Sequence, residues 1–483
     1  MKIKIKSDVL VDVPDDLSLM TPYVLLEQED WFESEIGFVR HLLQPGMKVI
    51  DVGANYGTYT LTAAKLVGVH GSVLAFEPAS NTANYLKRSI ELNSFNNIHL
   101  FQCALSNHDG EASLSLSENS ELNTLQQTTG TNCETVRLRT LDDCYAESGL
   151  GPIDFFKLDA EGEEIKILEG ASEFFEKQSP LVMFELKHAN EVNVGLIKKF
   201  EEFGYTIYAL VPGLNMLAPF DSTAPLDPFQ LNLFACKKDH AKILEQCGLL
   251  ATSADGELPQ HHLDKNLWVS FLKDKPYGNF FLPLYDHLRE SEEGDWPVYR
   301  QALNDYVSSH LPATPGKQRL AFLARSLATM TGLIYEKPVT FSRLCTWARV
   351  AAEAGKRGIA ANIMDAMVNA INAGKITIDA GEPFLPTSNR FDSLDPAADP
   401  ADWFLSGVIE AALRLGYFSS YFSGAATLPL LERLTHSRYQ SQEMERRRQL
   451  VRIRSGLQQA PEHRPVLMAA GQDSLNTGFW MQE

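Results

Sequence analysis

The stretch Lys48-Val-Ile-Asp-Val-Gly-Ala-Asn-Tyr-Gly57 constrains this chain more than any other. An apolar run carries Asp51 near its end and breaks into a small-residue loop holding Gly53 and Gly57. A helical pattern follows at once, from Thr58 to Val67. Twenty residues past Gly57 a second apolar run, Ser72-Val-Leu-Ala-Phe-Glu-Pro78, closes on Glu77. This is the order in which an α/β domain holds a nucleoside-bearing cofactor. Glycines let the backbone approach the ligand, and a carboxylate at the next strand's end takes the ribose hydroxyls. An ordinary crossover with incidental glycines is the plainer reading. The loop and Glu77 together weigh against it.

The loop favours S-adenosyl-L-methionine over a dinucleotide. A pyrophosphate fingerprint needs glycines at G-x-G-x-x-G spacing. Counted from Gly53, those slots hold Asn55 and Thr58. Asp51 is also a poor neighbour for a pyrophosphate but suits a sulfonium and an ammonium.

From residue 48 to 238, apolar runs alternate with helical segments. The runs are Val49–Val52, Val73–Phe76, Ile98–Leu105, Phe155–Asp159, Leu181–Leu186, Thr206–Val211 and Leu231–Cys236. Seven strands with interleaved helices predict a doubly wound, mostly parallel sheet over residues 48–240. The alternating pair Glu111–Ser117 and Thr135–Thr140 predicts a hairpin near the sheet edge. The polar piece between them, Glu118 to Asn132, reads as a mobile loop.

Residues 1–47 form a preface of strand and helix. Asp30 to Leu43 has helical spacing, and Pro45-Gly46 stops it before the first core strand. Such a helix either lies over the cofactor mouth or caps the sheet. Residues 241–465 change to helical periodicity, in Gln318–Thr331, Arg343–Ala354, Ile359–Asn372 and Asp402–Leu415. Gly355-Lys-Arg-Gly358 joins two of these as a tight hairpin. No second copy recurs at a fixed period, so an irregular bundle is favoured over a solenoid. Residues 376–401 read as a loop. The basic run Glu443 to Arg454 reads as a solvated helix face, or less readily as a contact for an acidic partner. Residues 466–483 read as a disordered tail.

Charge and cysteine narrow the partners. Of a net −19, residues 1–240 hold 18 Lys and Arg against 35 Asp and Glu. Phosphate binding needs a basic footprint, so a nucleic-acid partner is not expected. Six cysteines without a C-x-x-C pair suggest neither zinc nor a disulfide framework. The first residues lack the apolar core of a signal peptide, and no apolar run approaches the ~20 residues of a spanning helix. A cytoplasmic setting is the expectation.

Five ordered pieces resemble the FkbM-type S-adenosylmethionine-dependent methyltransferases. They are Val49 to Gly57, Phe76-Glu-Pro78, Cys103-Ala-Leu-Ser-Asn-His-Asp-Gly110, then Thr140-Leu-Asp142 with Phe156-Lys-Leu-Asp-Ala-Glu-Gly-Glu-Glu164 and Ile167 to Ala171, and last Leu181-Val-Met-Phe-Glu185. The resemblance covers about a third of the chain and says nothing of residues 240–483. It implies a class I methyltransferase, Rossmann-like fold and O-methylation of a small molecule or glycan. It places Asp51, Gly53, Asn55 and Gly57 at the methionine end, Glu77 on the ribose, and Ala104 with Leu105 beside the adenine. On spacing alone the last two serve equally as sheet core.

Methyl transfer leaves the protein to align two reactants and free an acceptor lone pair. On a strand, Lys157, Asp159 and Glu161 share one face at the carboxyl end, where parallel sheets bind ligands. A lysine in an apolar strand is costly unless paired, and Asp159, Glu161 and Glu185 are the available partners. Asp159 is the expected base or sulfonium neighbour. Glu161 and Glu185 either face the acceptor or order the strand end. His188 has a pKa suited to a base, or is a capping residue. Such carboxylates could also hold Mg²⁺, but nothing in the pattern requires a metal, and none is expected. Asp159-Ala-Glu-Gly162 replaces the Asn/Asp-Pro-Pro-aromatic turn of many amino-group methyltransferases, which favours a hydroxyl acceptor. A protein or carboxylate acceptor recruited by the helical half, or a non-catalytic scaffold, are the alternatives.

Overall fold

The computed structural model describes every residue except 118, 127–131, 189–190, 254–257, 259–263, 337–338, 376–378, 468–473 and 482–483. Its centre is an eight-stranded sheet. In spatial order the strands are Met216–Pro219, Tyr205–Val211, Asn232–Lys237, Leu181–Glu185, Phe155–Leu158, Lys48–Val52, Ser72–Phe76 and Ile98–Phe101. The last five are parallel and the first three antiparallel. The seven expected strands are all present. The eighth, Met216–Pro219, folds back on Tyr205–Val211 after a short turn. This is the doubly wound, mostly parallel sheet that the sequence predicts. Lys48–Val52 has neighbours drawn from opposite directions along the chain, so the crevice outside its carboxyl end is the topological switch point where open α/β sheets bind ligands.

One expected strand splits. Ile98–Phe101 stays in the main sheet, while Ala104–Leu105 joins a separate sheet ordered Ala104–Leu105, Cys133–Arg139, Gly110–Ser115, Thr124–Gln126. The polar loop expected at 118–132 is therefore structured where it is described. Thr124–Gln126 pairs with Gly110–Ser115, and Ser120–Leu122 forms a 3₁₀ turn. The rest of that expectation falls on residues outside the described set.

The preface pairs Lys2–Ile5 with Val9–Asp12 and continues into helices Met20–Gln28 and Ser34–Leu42. The second helix starts later than Asp30 because Asp30 folds onto its own neighbours. It accepts from the Trp31 amide at 2.9 Å and from Arg40 Nη1 at 2.8 Å.

Helices Trp296–His310, Gly316–Glu336, Phe341–Glu353, Arg357–Asn372 and Pro400–Gly416 pack each against the next. Gly355, at φ +76°, makes the turn between the third and fourth. Val211, Leu214 and Met216 of the sheet edge share one apolar core with Trp268, Tyr299 and Trp403. Each buried aliphatic side chain stabilises by about 1.5–3 kcal/mol, which fixes this region against the sheet. No helix among the described residues is long and apolar enough to cross a membrane.

One expectation fails in residues 442–454. The basic helix Gln442–Arg454 is not a solvated face, since Arg446, Arg447 and Arg448 are all buried. Arg447 pairs with Glu27 at 3.4 Å, Arg446 with Glu29 at 3.3 Å and Arg448 with Glu445 at 2.8 Å. The preface helix and the residue that ends it supply two of these carboxylates, Glu27 and Glu29, so the run neutralises an internal acidic wall. The tail also docks where it is described. Asn476 exchanges hydrogen bonds with the Lys4 backbone, and Trp480 on helix Thr477–Met481 is buried.

Candidate active site

The Lys48–Val52 strand ends against the start of the turn after Phe155–Leu158, and glycine permits the contact. Gly53 sits at φ +75°, and a Cβ there would lie 1.8 Å from the Asp159 carbonyl oxygen. Gly57, at φ +94°, would drive a Cβ to 2.4 Å from Leu86. The amides of Gly53 and Ala54 donate to the Phe76 carbonyl at 3.1 and 3.0 Å, which ties the loop to the second strand. Glu77 then grips the loop, accepting from the Asn55 amide at 3.0 Å and the Ala79 amide at 2.9 Å. Asn55 takes the left-handed conformation, φ +47°, and its Oδ1 accepts from Ser120.

Asp51 is buried beneath this loop and accepts from Thr60 Oγ1 at 2.5 Å. Its other oxygen, Oδ1, has no hydrogen bond; the nearest cation is Lys157 Nζ, at 3.8 Å. Burial raises the Asp51 carboxyl above its ordinary range, and Lys157 and Thr60 offset only part of that. A buried acceptor facing a cleft, with a loop too close-packed for side chains, fits a cationic nucleoside ligand. Lys157 itself is buried and donates to Asp159 Oδ2 at 2.7 Å. Burial alone would lower its pKa, but Asp159 and Asp51 together outweigh that and keep it cationic.

Asp51, Gly53, Asn55, Glu77, Ala104, Leu105, Lys157, Asp159 and Glu161 line one cleft. Ala104 and Leu105 form its apolar end beside Phe76 and Leu114. Gly57 shapes the loop from behind.

Glu161 reaches the cleft differently from the expected alternation along a strand. The strand stops at Leu158, and Glu161 stands in a turn at φ +49°. That turn gathers carboxylate oxygens of Asp159, Glu161 and Glu185 within 4.8 Å of one another. Glu185 thus joins the acidic group, while Lys157 pairs with Asp159 and Asp51. Burial, then the Asp159 charge, pushes Glu161 up to about 8 and Glu185 up to about 9. Burial also raises Glu77 to about 7. At neutral pH Glu161 and Glu185 favour their protonated forms, or a cation in the protons' place. His188 lies on the two-residue strand Lys187–His188, and its side chain falls outside the described residues.

Several lining residues carry no local sequence signal. Thr21, Trp31 and Glu33 come from the preface, and Ser120, Glu121 and Asn123 from the polar segment. Thr21 donates to Glu121, and the Met20 amide donates to Asn119 at 2.8 Å, so these two segments close the cleft together. Glu33 is half-buried, accepts from the Tyr59 hydroxyl at 2.6 Å, and is held above its usual range by the loss of water around it. Only the Asp30-Trp-Phe-Glu33 run before the helix hinted at the preface's part.

The raised carboxyls set a pH dependence. Glu77, Glu161 and Glu185 bind protons more tightly folded than unfolded, where a glutamate titrates near 4.5. The folded state therefore holds more protons between those values, and stability falls as pH rises. The ligand-free protein should lose denaturation midpoint progressively from about pH 5 to 9. A urea series at fixed ionic strength that showed a flat or rising midpoint would contradict the burial of these groups.

The family described as the methyltransferase FkbM domain matches residues 51–207. Methyltransferase 1 of Beauveria bassiana (strain ARSEF 2860) is 26% identical over 145 residues, covering 25% of this chain. The match spans 57% of that relative's length. Among solved structures, the FkbM methyltransferase of Methylobacillus flagellatus KT aligns over 46% of this chain and 56% of its own, at 17% identity and TM-score 0.28. Aeropyrum pernix fibrillarin, with natively bound S-adenosyl-L-methionine, aligns over 42% of this chain and 75% of its own, at 14% identity and TM-score 0.26. The family match falls on the loop, strands and acidic turn that build the cleft. Residues 51–207 are a methyltransferase FkbM domain, and its cofactor is S-adenosyl-L-methionine.

Proposed function

We propose that the protein is an O-methyltransferase acting on a hydroxyl of a sugar, glycan or secondary metabolite. The observation that carries this reading is the acidic trio Asp159, Glu161 and Glu185, of which Asp159 and Glu161 line the cleft together with Lys157. In the proposed complex Asp51, Gly53, Asn55 and Gly57 border the methionine end. Glu77 takes the ribose hydroxyls, and Ala104 with Leu105 borders the adenine. When bound, the cofactor supplies an electrophilic methyl group on a positively charged sulfur.

The chain's own contribution is alignment and proton removal. Alignment of bound reactants is worth ~7–11 kcal/mol, and a positioned base adds about 10²–10⁴-fold. Lys157 holds Asp159 at a fixed angle through its 2.7 Å bond. An ionised member of the trio accepts the hydroxyl proton, and the raised pKa values of Glu161 and Glu185 make them stronger bases than ordinary carboxylates.

Calorimetry with S-adenosylmethionine and S-adenosylhomocysteine tests the cofactor assignments. Glu77→Ala removes charged acceptors worth about 1.5–3 kcal/mol, so affinity should fall about tenfold to a hundredfold. Asp159→Ala should lower turnover on a hydroxyl acceptor by about 10²–10⁴-fold while cofactor affinity changes little. Unaltered activity in both variants would remove the assignment.

A further inference from the structure

The cofactor cleft has two kinds of wall. Asp51, Gly53 and Glu77 stand at the ends of sheet strands and are held by the sheet's own pairing. Thr21, Ser120 and Glu121 complete the cleft from outside that sheet. The run Asn119-Ser-Glu121 has no apolar side chain to anchor it by burial. Hydrogen bonds set its place instead, and they lead out of the methyltransferase domain to one residue of the helical region, Tyr421.

Ser120 Oγ donates to Asn55 Oδ1 at 2.9 Å, and Thr21 donates to Glu121. Asn119 carries the connection onward. Its Oδ1 accepts from the Met20 amide at 2.8 Å, which fixes the orientation of the side-chain amide. Nδ2 therefore faces Tyr421 and donates to its hydroxyl at 3.2 Å. The hydroxyl's one proton goes to the Ser18 carbonyl at 3.0 Å, nearer than Asn119 Oδ1 at 3.4 Å. A single oxygen thus ties the preface, at Ser18, to the cleft wall, at Asn119.

Tyr421 is itself held from both sides. The Tyr23 ring meets its ring edge-on at 5.6 Å, and the Tyr23 hydroxyl lies 2.9 Å from Ser420 Oγ. The Arg454 guanidinium stands over the Tyr421 ring at 4.0 Å and donates to the Tyr421 carbonyl at 2.7 Å. Arg454 ends the helix whose Arg446 and Arg447 pair with Glu29 and Glu27.

We infer that Tyr421 is a positioning residue for the cofactor: its hydroxyl, acting through Asn119, holds Ser120 and Glu121 in place against bound S-adenosyl-L-methionine. The inference rests on the assignment of this cleft to the cofactor, and it gives the helical region a part in that binding. Tyr421 is half-buried, so in the ligand-free chain water replaces much of what its hydroxyl bonds contribute to stability. Cofactor binding is more demanding. Ordering a loose wall at the moment of binding costs affinity, and a wall already clasped avoids that cost.

Calorimetry of the full-length protein with S-adenosylhomocysteine, set beside urea unfolding, tests the clasp. Tyr421→Phe keeps the ring contacts and deletes only the hydroxyl, so binding should weaken about threefold to tenfold. Asn119→Ala cuts the bonds to both Met20 and Tyr421 and should weaken it by about tenfold or more. In the Asn119→Ala background, Tyr421→Phe should add less than about twofold, because its route to the cleft is already gone. Tyr277→Phe is the control for stability alone. It deletes a buried hydroxyl that donates to the Phe384 carbonyl at 3.1 Å in the helical core. It should lower the urea midpoint and leave binding within about twofold of wild type, whereas Tyr421→Phe should do the reverse. Wild-type affinity in Tyr421→Phe, full multiplication of the two losses in the double variant, or an equal loss in Tyr277→Phe would each overturn the clasp. Failure of the wild-type chain to bind S-adenosylhomocysteine, or unchanged affinity in Glu77→Ala, would overturn the cleft assignment itself, and the clasp with it.

Discussion

Lys157→Met should cost the ligand-free protein about 3–5 kcal/mol, the usual penalty for breaking a buried ion pair from one side. The lysine side chain is 6% exposed and stands between Asp159, at 2.7 Å, and Asp51, at 3.8 Å. Asp159 is 34% exposed, so water takes over much of its charge and its share is discounted. Asp51 is 2% exposed and has no such recourse. It already lacks a hydrogen bond on Oδ1, and without the lysine it must take up a proton or remain charged in an apolar wall. The double variant Lys157→Met, Asp51→Asn removes that stranded charge and should recover a large part of the loss. Urea unfolding of the four proteins measures both terms. A single-variant loss below about 1 kcal/mol would mean that the lysine is solvated and that the buried cluster does not exist as described.

Gly53→Ala should be comparably damaging, for a steric reason. The added methyl carbon would sit 1.8 Å from the Asp159 carbonyl oxygen, a backbone atom that cannot swing aside. The residue would also be forced to φ +75°. Left-handed strain and overpacking each cost about 1–3 kcal/mol, so a total of about 2–6 kcal/mol is expected. Whatever movement relieves the clash separates the loop from the acidic turn, so S-adenosylmethionine affinity should fall at least about tenfold. Gly46→Ala is the control. It has φ +91° with nothing within 4 Å, so it carries the dihedral cost alone. Thermal melts and calorimetry on both variants separate the two terms. Cofactor affinity in Gly53→Ala equal to that in Gly46→Ala would show that the close approach plays no part in binding.

What could be read from the chain was what local order encodes. The Asp51–Gly57 loop announces itself because one strand, one turn and one helix are continuous in sequence. The alternation of apolar runs with helical segments located the strands, since the central ones, Ser72–Phe76 and Phe155–Leu158 among them, are buried on both faces and written in apolar residues. The run Ile98–Leu105 hid its break because Gln102-Cys103 carries no Gly, Pro or Asn to mark a turn. Glu161 was placed in the cleft on the assumption of strand periodicity, yet it arrives there through a left-handed turn. Glu33 was not found at all, because its position depends on how the preface docks and not on any spacing near it. The basic helix was misjudged for the same reason. Arg446 and Arg447 look solvent-bound until Glu27 and Glu29, more than 400 positions away, close over them.

That same closure bears on how the protein can be taken apart. A fragment cut after residue 240 keeps the whole cofactor loop, yet it opens Glu27 and Glu29 to water with their arginine countercharges deleted. It also bares Val211, Leu214 and Met216, which the helical region now covers. Residues 1–240 alone should therefore fold less stably than the whole chain. Its two outermost stretches of chain are stitched together, and excising either would loosen the roof above Glu33 before it touched the chemistry.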